Sequence, residues 1–224
     1  MRIALLPLQR LPGLADLLVA WDEGRDALAL RVDASGQVRL AVGNRDRAWR
    51  VPASPPPWPL RDLPVWELRI GRPPAVLIAG SGPEAPLLLP LLDQLGWRCV
   101  VVEPRDRWRA AHLADVGHRG AAFERLQDAL DAAPPLDAAL VMHHNFEMDR
   151  DALETLSRTP LPFIGLLGPA RRRDDLLRLL PPRDRTRLQP RLRAPVGLPL
   201  GGQGPEAIAM SIGAQLQAYR HADA

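Results

Sequence analysis

The chain has 224 residues, 46% of them hydrophobic and only 4% aromatic, and carries a net charge of +3 at pH 7; that length suits one large domain, or one domain with a smaller companion. All 29 basic residues are arginine, interspersed with 26 acidic ones, which speaks against a nucleic-acid surface, and the lack of lysine excludes Schiff-base chemistry and a Walker-A phosphate lysine. A single cysteine, Cys99, excludes a disulfide framework, and no apolar run reaches the ~18 residues of a membrane span, so a cytoplasmic protein with no membrane and no nucleic-acid partner is expected.

Residues 1–14 contain Pro7 and Pro12 and read as neither signal peptide nor anchor. Residues 27–32 and 37–42 are short apolar runs joined by Asp33-Ala34-Ser35-Gly36, the composition of a hairpin turn. Five prolines among residues 52–59, with Trp58 between them, predict an extended linker. Residues 65–70 read as a further strand. This region, 1–71, is small for a core of its own. Gly71-Arg72-Pro73-Pro74 marks a seam, and 72–224 reads as the second domain.

From Ala75 onward, strand and helix patterns alternate. Residues 76–79 are continuously apolar, as in a parallel strand buried on both faces, and 98–102 repeat the pattern. The segment between them predicts a helix over 84–95, closed by Gly96. Pro86 suits its first turn, whereas Pro90 predicts a kink or a later start, and 87–92 reads as core-facing. Then follow a weaker strand at 119–123, a helix at 124–132, a strand at 138–142, a helix at 149–158, a strand at 163–167 and a helix at 170–180. The final helix is predicted over 205–219, with Gly204 at its cap and Pro205 at N1. The fold class is therefore α/β: a Rossmann-like doubly wound parallel sheet, preceded by a small β-containing region.

In such sheets ligands bind beyond the carboxyl ends of the strands. Gly80-Ser81-Gly82-Pro83-Glu84-Ala85 follows the first strand and opens a helix, a G-x-G-x-x-A turn of the kind that brings phosphate to a helix N-terminus. Glu84 would compete with that phosphate. Glu103 lies twenty-one residues beyond Gly82, where an acidic residue meets a ribose hydroxyl; the alternative is an ion pair with a nearby arginine. His143-His144-Asn145 ends a later strand and suits binding or proton transfer, with at most one imidazole facing the site. Asp149 suits the N-cap of the helix that follows. Gly168 precedes Arg171, Arg172 and Arg173 in the first turn of a helix, where the macrodipole opposes cations. Either Asp174 and Asp175 offset them or a bound anion does. No metal site is expected, since a third ligand beside the histidines is lacking. Cys99 reads as a buried small hydrophobe.

The arrangement resembles the C-terminal Rossmann domain of the XdhC/CoxI family, the accessory factors of xanthine dehydrogenase and related molybdenum hydroxylases. The resemblance rests on residues 76–85 (VLIAGSGPEA), 96–105 (GWRCVVVEPR), 141–149 (VMHHNFEMD) with 165–171 (GLLGPAR), and 193–211 (RAPVGLPLGGQGPEAIAMS). By position, Gly80 and Gly82 match the family's glycine turn. His144 and Asp149 match its T-H-x-x-x-x-D motif, and Gly168 and Arg171 its glycine–arginine segment. Gly197, Pro205 and Glu206 match its closing element. This chain has His143 for the motif's threonine, Pro199 for an acidic residue and Gln203 for a common glutamate. Nothing in 1–71 matches the family's glycine-rich cysteine segment.

The resemblance implies a protein that binds molybdenum cofactor (molybdopterin) and helps its sulfuration or insertion, with a cysteine desulfurase and a molybdenum hydroxylase subunit as partners. It implies no turnover of its own and leaves the oligomeric state open, a homodimer included. The cofactor-binding candidates are Gly80, Ser81, Gly82, Glu103, His144, Asn145, Gly168, Arg171 and Arg172. Two other readings stand beside it: an NAD(P)-dependent oxidoreductase, resting on the glycine turn and Glu103, and a ligand-free scaffold that contacts a hydroxylase subunit.

Overall fold

The strongest apolar runs of the sequence form strands in the computed structural model, which describes residues 6–33, 36–50, 65–113 and 121–222. The proline run 52–59, the turn residues Ala34 and Ser35 and the start of the 119–123 strand lie outside these residues. The chain divides into two compact units, Met1–Pro73 and Pro74–Ala224.

In the first unit a 3₁₀ turn, Leu8–Arg10, precedes helix α1 (Leu14–Glu23). Strands β1 (Leu28–Asp33), β2 (Gln37–Val42), β3 (Arg45–Arg50) and β4 (Val65–Ile70) form an antiparallel sheet in the order β3-β2-β1-β4. Val38, Leu40 and Val42 alternate inward along β2, as one covered face requires. Leu11, Leu14 and Leu17 pack with Leu28, Leu40 and Val42. The region therefore has a small core of its own, which its length and composition did not lead us to expect. Two indole N–H groups brace it, Trp49 to the Pro12 carbonyl at 3.1 Å and Trp21 to that of Ile70 at 3.0 Å.

The second unit holds β5 (Ala75–Ala79), α2 (Ala85–Gln94), β6 (Arg98–Val102), α3 (Asp106–Leu113), β7 (Ala121–Phe123), α4 (Leu126–Ala132) and β8 (Ala138–Val141). It continues through α5 (Phe146–Ser157), β9 (Ile164–Leu166), α6 (Ala170–Leu179), α7 (Pro182–Leu188), β10 (Leu192–Arg193) and α8 (Gly204–Arg220). The strands form one parallel six-stranded sheet in the order β10-β9-β8-β5-β6-β7. The chain thus builds outward from β5 through β6 to β7, then returns to the other side of β5 and builds outward through β8, β9 and β10. That order is doubly wound, and its switch point lies between β5 and β8.

Both faces of the sheet are covered, which is why its strands read as unbroken apolar runs. Val76 and Ile78 pack on one side with Leu88, Leu89 and Leu92 of α2 and Ile212 and Leu216 of α8. Leu77 and Ala79 pack on the other with Leu153 and Leu156 of α5 and Leu176 of α6. Helix α2 starts at Ala85 with Pro86 in its first turn and runs on through Pro90, so the later start does not occur. Leu87 is 40% exposed and not core-facing. Helix α5 starts three residues before its predicted position, and α8 starts at Gly204 itself, with Gln203 as its cap. Among the described residues no helix is long and apolar enough to cross a membrane.

Candidate functional site

The switch point brings two segments together, the glycine turn after β5 and the histidine pair after β8. Gly80 has φ +107°, and a Cβ there would lie 2.5 Å from the His143 backbone. Only glycine permits that closeness of turn and neighbouring strand end. The Gly80 N–H donates to the Val102 carbonyl at 2.8 Å, and the buried Ser81 donates to Glu103 through both its N–H (2.8 Å) and its hydroxyl (3.1 Å).

Glu103 is fully buried, and Arg105 completes its surroundings with a bidentate guanidinium at 2.7 and 2.8 Å and a backbone N–H at 3.0 Å. Burial alone would raise its carboxyl, but the hydrogen bonds from Arg105 and Ser81 and the nearby guanidinium charge outweigh it, and the carboxyl falls to about 2. Of the two sequence readings of Glu103, the arginine pair is the geometry observed. Arg105 also lies over the Trp108 ring, 4.6 Å from its centroid.

The two histidines part company. His143 is 4% exposed. Its backbone N–H and Nδ1 each lie 3.1 Å from Asp149 Oδ1, and Arg172 donates to Asp149 Oδ2 at 2.7 Å. Burial pushes the Asp149 carboxyl up, while these hydrogen bonds more than reverse it and hold it below the usual range. Asp149 is therefore not the N-cap of α5. That place belongs to Asn145, whose Oδ1 accepts the Met148 N–H at 3.0 Å. Asn145 lies at the site's edge with its side chain engaged in the cap.

His144 turns outward. It is the one non-glycine residue with positive φ (+56°) among the described residues, and its side chain is 39% exposed. Strained backbone of this kind persists where surrounding contacts enforce it. Here the contact is Glu84, read from sequence as a competitor for phosphate. Its carboxylate is buried and lies 2.8 Å from His144 Nε2. That hydrogen bond raises the imidazole pKa against the opposing effect of burial, with the charges of Glu84 and Asp149 also raising it and that of Arg172 lowering it. The imidazolium is thereby favoured. Nothing at the sequence level joins Glu84 to His144; only the β5–β8 pairing does.

The arginine turn divides three ways. Gly168, at φ +121°, makes room for Arg172, whose Cδ would lie 2.8 Å from a Cβ there. Arg172 meets Asp149 and sits 5.7 Å from the Phe146 ring centroid. Arg173 reaches Asp174 and the Ala194 carbonyl. Arg171 is 94% exposed and 3.9 Å from Asp175. Asp174 and Asp175 therefore offset two of the three cations, and Asp149 the third. Helices α2, α5 and α6 all begin at this edge of the sheet, and their positive ends suit an anionic ligand. Among the described residues, no group of three or more His, Cys, Asp or Glu side chains is placed to hold a metal ion.

Residues 76–216 match the family model of the XdhC Rossmann domain. A Bacillus subtilis (strain 168) protein, named as a probable subunit of xanthine dehydrogenase, is 30% identical over 158 residues, 66% of this chain and 43% of that protein. A solved structure titled as a xanthine dehydrogenase from Bacillus halodurans has a TM-score of 0.71 at 24% identity, covering 94% of this chain and 64% of that one, a likeness of fold. The chain spans less than two thirds of either protein. With the doubly wound order, the glycine turn and the matched span all in one unit, the chain belongs to the XdhC family through its Rossmann domain.

Proposed function

We propose that this chain is a binding and delivery protein serving a molybdenum hydroxylase of the xanthine dehydrogenase type, and that molybdenum cofactor is its ligand. Family membership and the relative's name support the hydroxylase association. The observation that carries the ligand reading is His144, an outward imidazole on a buried carboxylate at the switch point, on the sheet edge where α2, α5 and α6 begin. That donor set fits a phosphate-bearing, anionic pterin. His144, Arg171 and the start of α6 would hold the group, which supplies molybdenum redox chemistry to the enzyme that receives it. This chain's own residues bind and orient. Handover to a hydroxylase subunit, with sulfuration by a cysteine desulfurase, completes the proposal.

Cys99 takes no part in sulfur exchange on this reading. It is buried, and burial with the nearby Asp93 charge pushes its thiol up to about 12, so the reactive thiolate is scarce. The nicotinamide alternative leaned on Glu103, whose buried carboxylate is spent on Ser81 and Arg105.

The test is purification from a molybdopterin-competent host, followed by oxidation and pterin fluorescence. The wild type should release pterin, and His144→Ala should retain less than a tenth as much. A wild-type protein without pterin that binds NAD(H) saturably would overturn the proposal.

A further inference from the structure

The second glycine of a dinucleotide-binding turn lacks a side chain because the pyrophosphate approaches its backbone there. In this chain that place is already taken. A Cβ on Gly82 would lie 2.5 Å from His144 Cδ2, 2.6 Å from His144 Nε2 and 2.8 Å from Glu84 Oε2. The imidazole is held over the turn by a left-handed backbone at His144 and by its 2.8 Å bond to Glu84, a residue 4% exposed. The preceding amides are spent as well, Gly80 on Val102 and Ser81 on Glu103. Gly82 is thus glycine to admit the chain's own histidine.

We infer that His144 and Glu84 form a resident plug in the pyrophosphate seat of the Rossmann turn, closing it to dinucleotides. The plug follows from geometry alone. Combined with the cofactor reading above, on which this second step rests, it narrows the ligand to the phosphomonoester form of the pterin and rejects a pterin dinucleotide. The outer edge of the imidazole then meets the phosphate, and the positive helix ends act through it.

ADP-ribose, a pyrophosphate flanked by adenosine and ribose as in a dinucleotide, tests the plug on the full chain by titration calorimetry and amide NMR. The wild type should show no saturable binding and no shifts at Gly80–Ala85. Replacing both plug residues (His144→Gly, Glu84→Ala) should give saturable ADP-ribose binding, at least tenfold tighter than the detection limit the wild type fails to reach, with glycine suited to the φ of +56° at position 144.

Gly82→Ala serves as the second variant. Its methyl must push the ring off Glu84, so the His144 imidazole resonance should titrate at lower pH than in the wild type. ADP-ribose binding at the wild-type turn, a folded double variant with no gain, or an unmoved titration in Gly82→Ala would each overturn the plug. The ligand step is read separately, by acid release of nucleotide from the purified protein. Pterin without stoichiometric nucleotide supports it, and pterin with nucleotide refutes it. Absence of pterin refutes the cofactor reading while the ADP-ribose result still decides the plug.

Discussion

Arg172→Ala should destabilise the protein by about 2 kcal/mol, whereas Arg171→Ala, one residue earlier, should cost almost nothing. The Arg172 side chain is 25% exposed and donates at 2.7 Å to Asp149, whose side chain is 1% exposed. Removing one partner of a buried pair costs ~3–5 kcal/mol. Asp149 keeps two hydrogen bonds from His143, so the loss shrinks to roughly one charge-assisted bond, ~1.5–3 kcal/mol. Relief of a cation in the first turn of α6 returns ~0.3–1 kcal/mol, too little to change the sign. For a unit of this size, about 2 kcal/mol lowers Tm by roughly 4–8 °C. Thermal melts of both single variants, of Asp149→Asn and of the Arg172→Ala, Asp149→Asn double variant give the coupling directly. Equal melting temperatures for Arg171→Ala and Arg172→Ala, or a coupling below about 0.5 kcal/mol, would refute the reasoning. On the proposed function, Arg171→Ala instead weakens pterin retention without moving the melt.

Glu103 sets an acid limit. Its folded carboxyl is depressed to about 2, so its contribution is full above the unfolded value of about 4.3 and is lost as pH falls towards 2; a Glu103→Gln variant should show a flatter acid limb in pH-dependent melts. Arg191 donates its five N–H groups to five carbonyls, those of Leu156, Ser157, Thr159, Leu161 and Arg187, and so caps the end of α5. Arg191→Lys should cost about 1–3 kcal/mol by urea unfolding, because an ammonium has three donors and no planar fork. Cys99 should resist thiol reagents at pH 8 until the protein unfolds, and rapid labelling of the native protein would show the thiol to be accessible.

The sheet was legible where burial on both faces leaves an apolar run, as in Val76-Leu77-Ile78-Ala79 and Arg98-Cys99-Val100-Val101-Val102. It was not legible in β10, which is two residues long, nor in β3, whose RDRAWR is mostly exposed. Helix α3 escaped notice because its charged sequence lacks an apolar stripe. At the site, the glycine turn and His144 stood out as residue types. Their partners did not, since Glu84 lies sixty positions from His144 and Asp149 twenty-three from Arg172. Such pairs depend on strand order, which alternation of elements does not encode. Asp149 was open to reading as a cap because Asp and Asn are equally good caps. Asn145 takes the cap, and the buried aspartate is left to His143 and Arg172.

The packing of α8 against α2 has a consequence for how the domain is made. A Cβ on Gly213 would lie 2.8 Å from a Leu91 methyl, so the last helix of the domain nests closely on the first. Leu88, Leu89 and Leu92 share their core with Ile212 and Leu216. During synthesis β5 and α2 emerge with one wall of that core still untranslated, and β5 must also wait for β8 on its other edge. The nascent domain therefore carries an uncovered leucine face for most of its translation, a state that favours chaperone capture and slow, late folding.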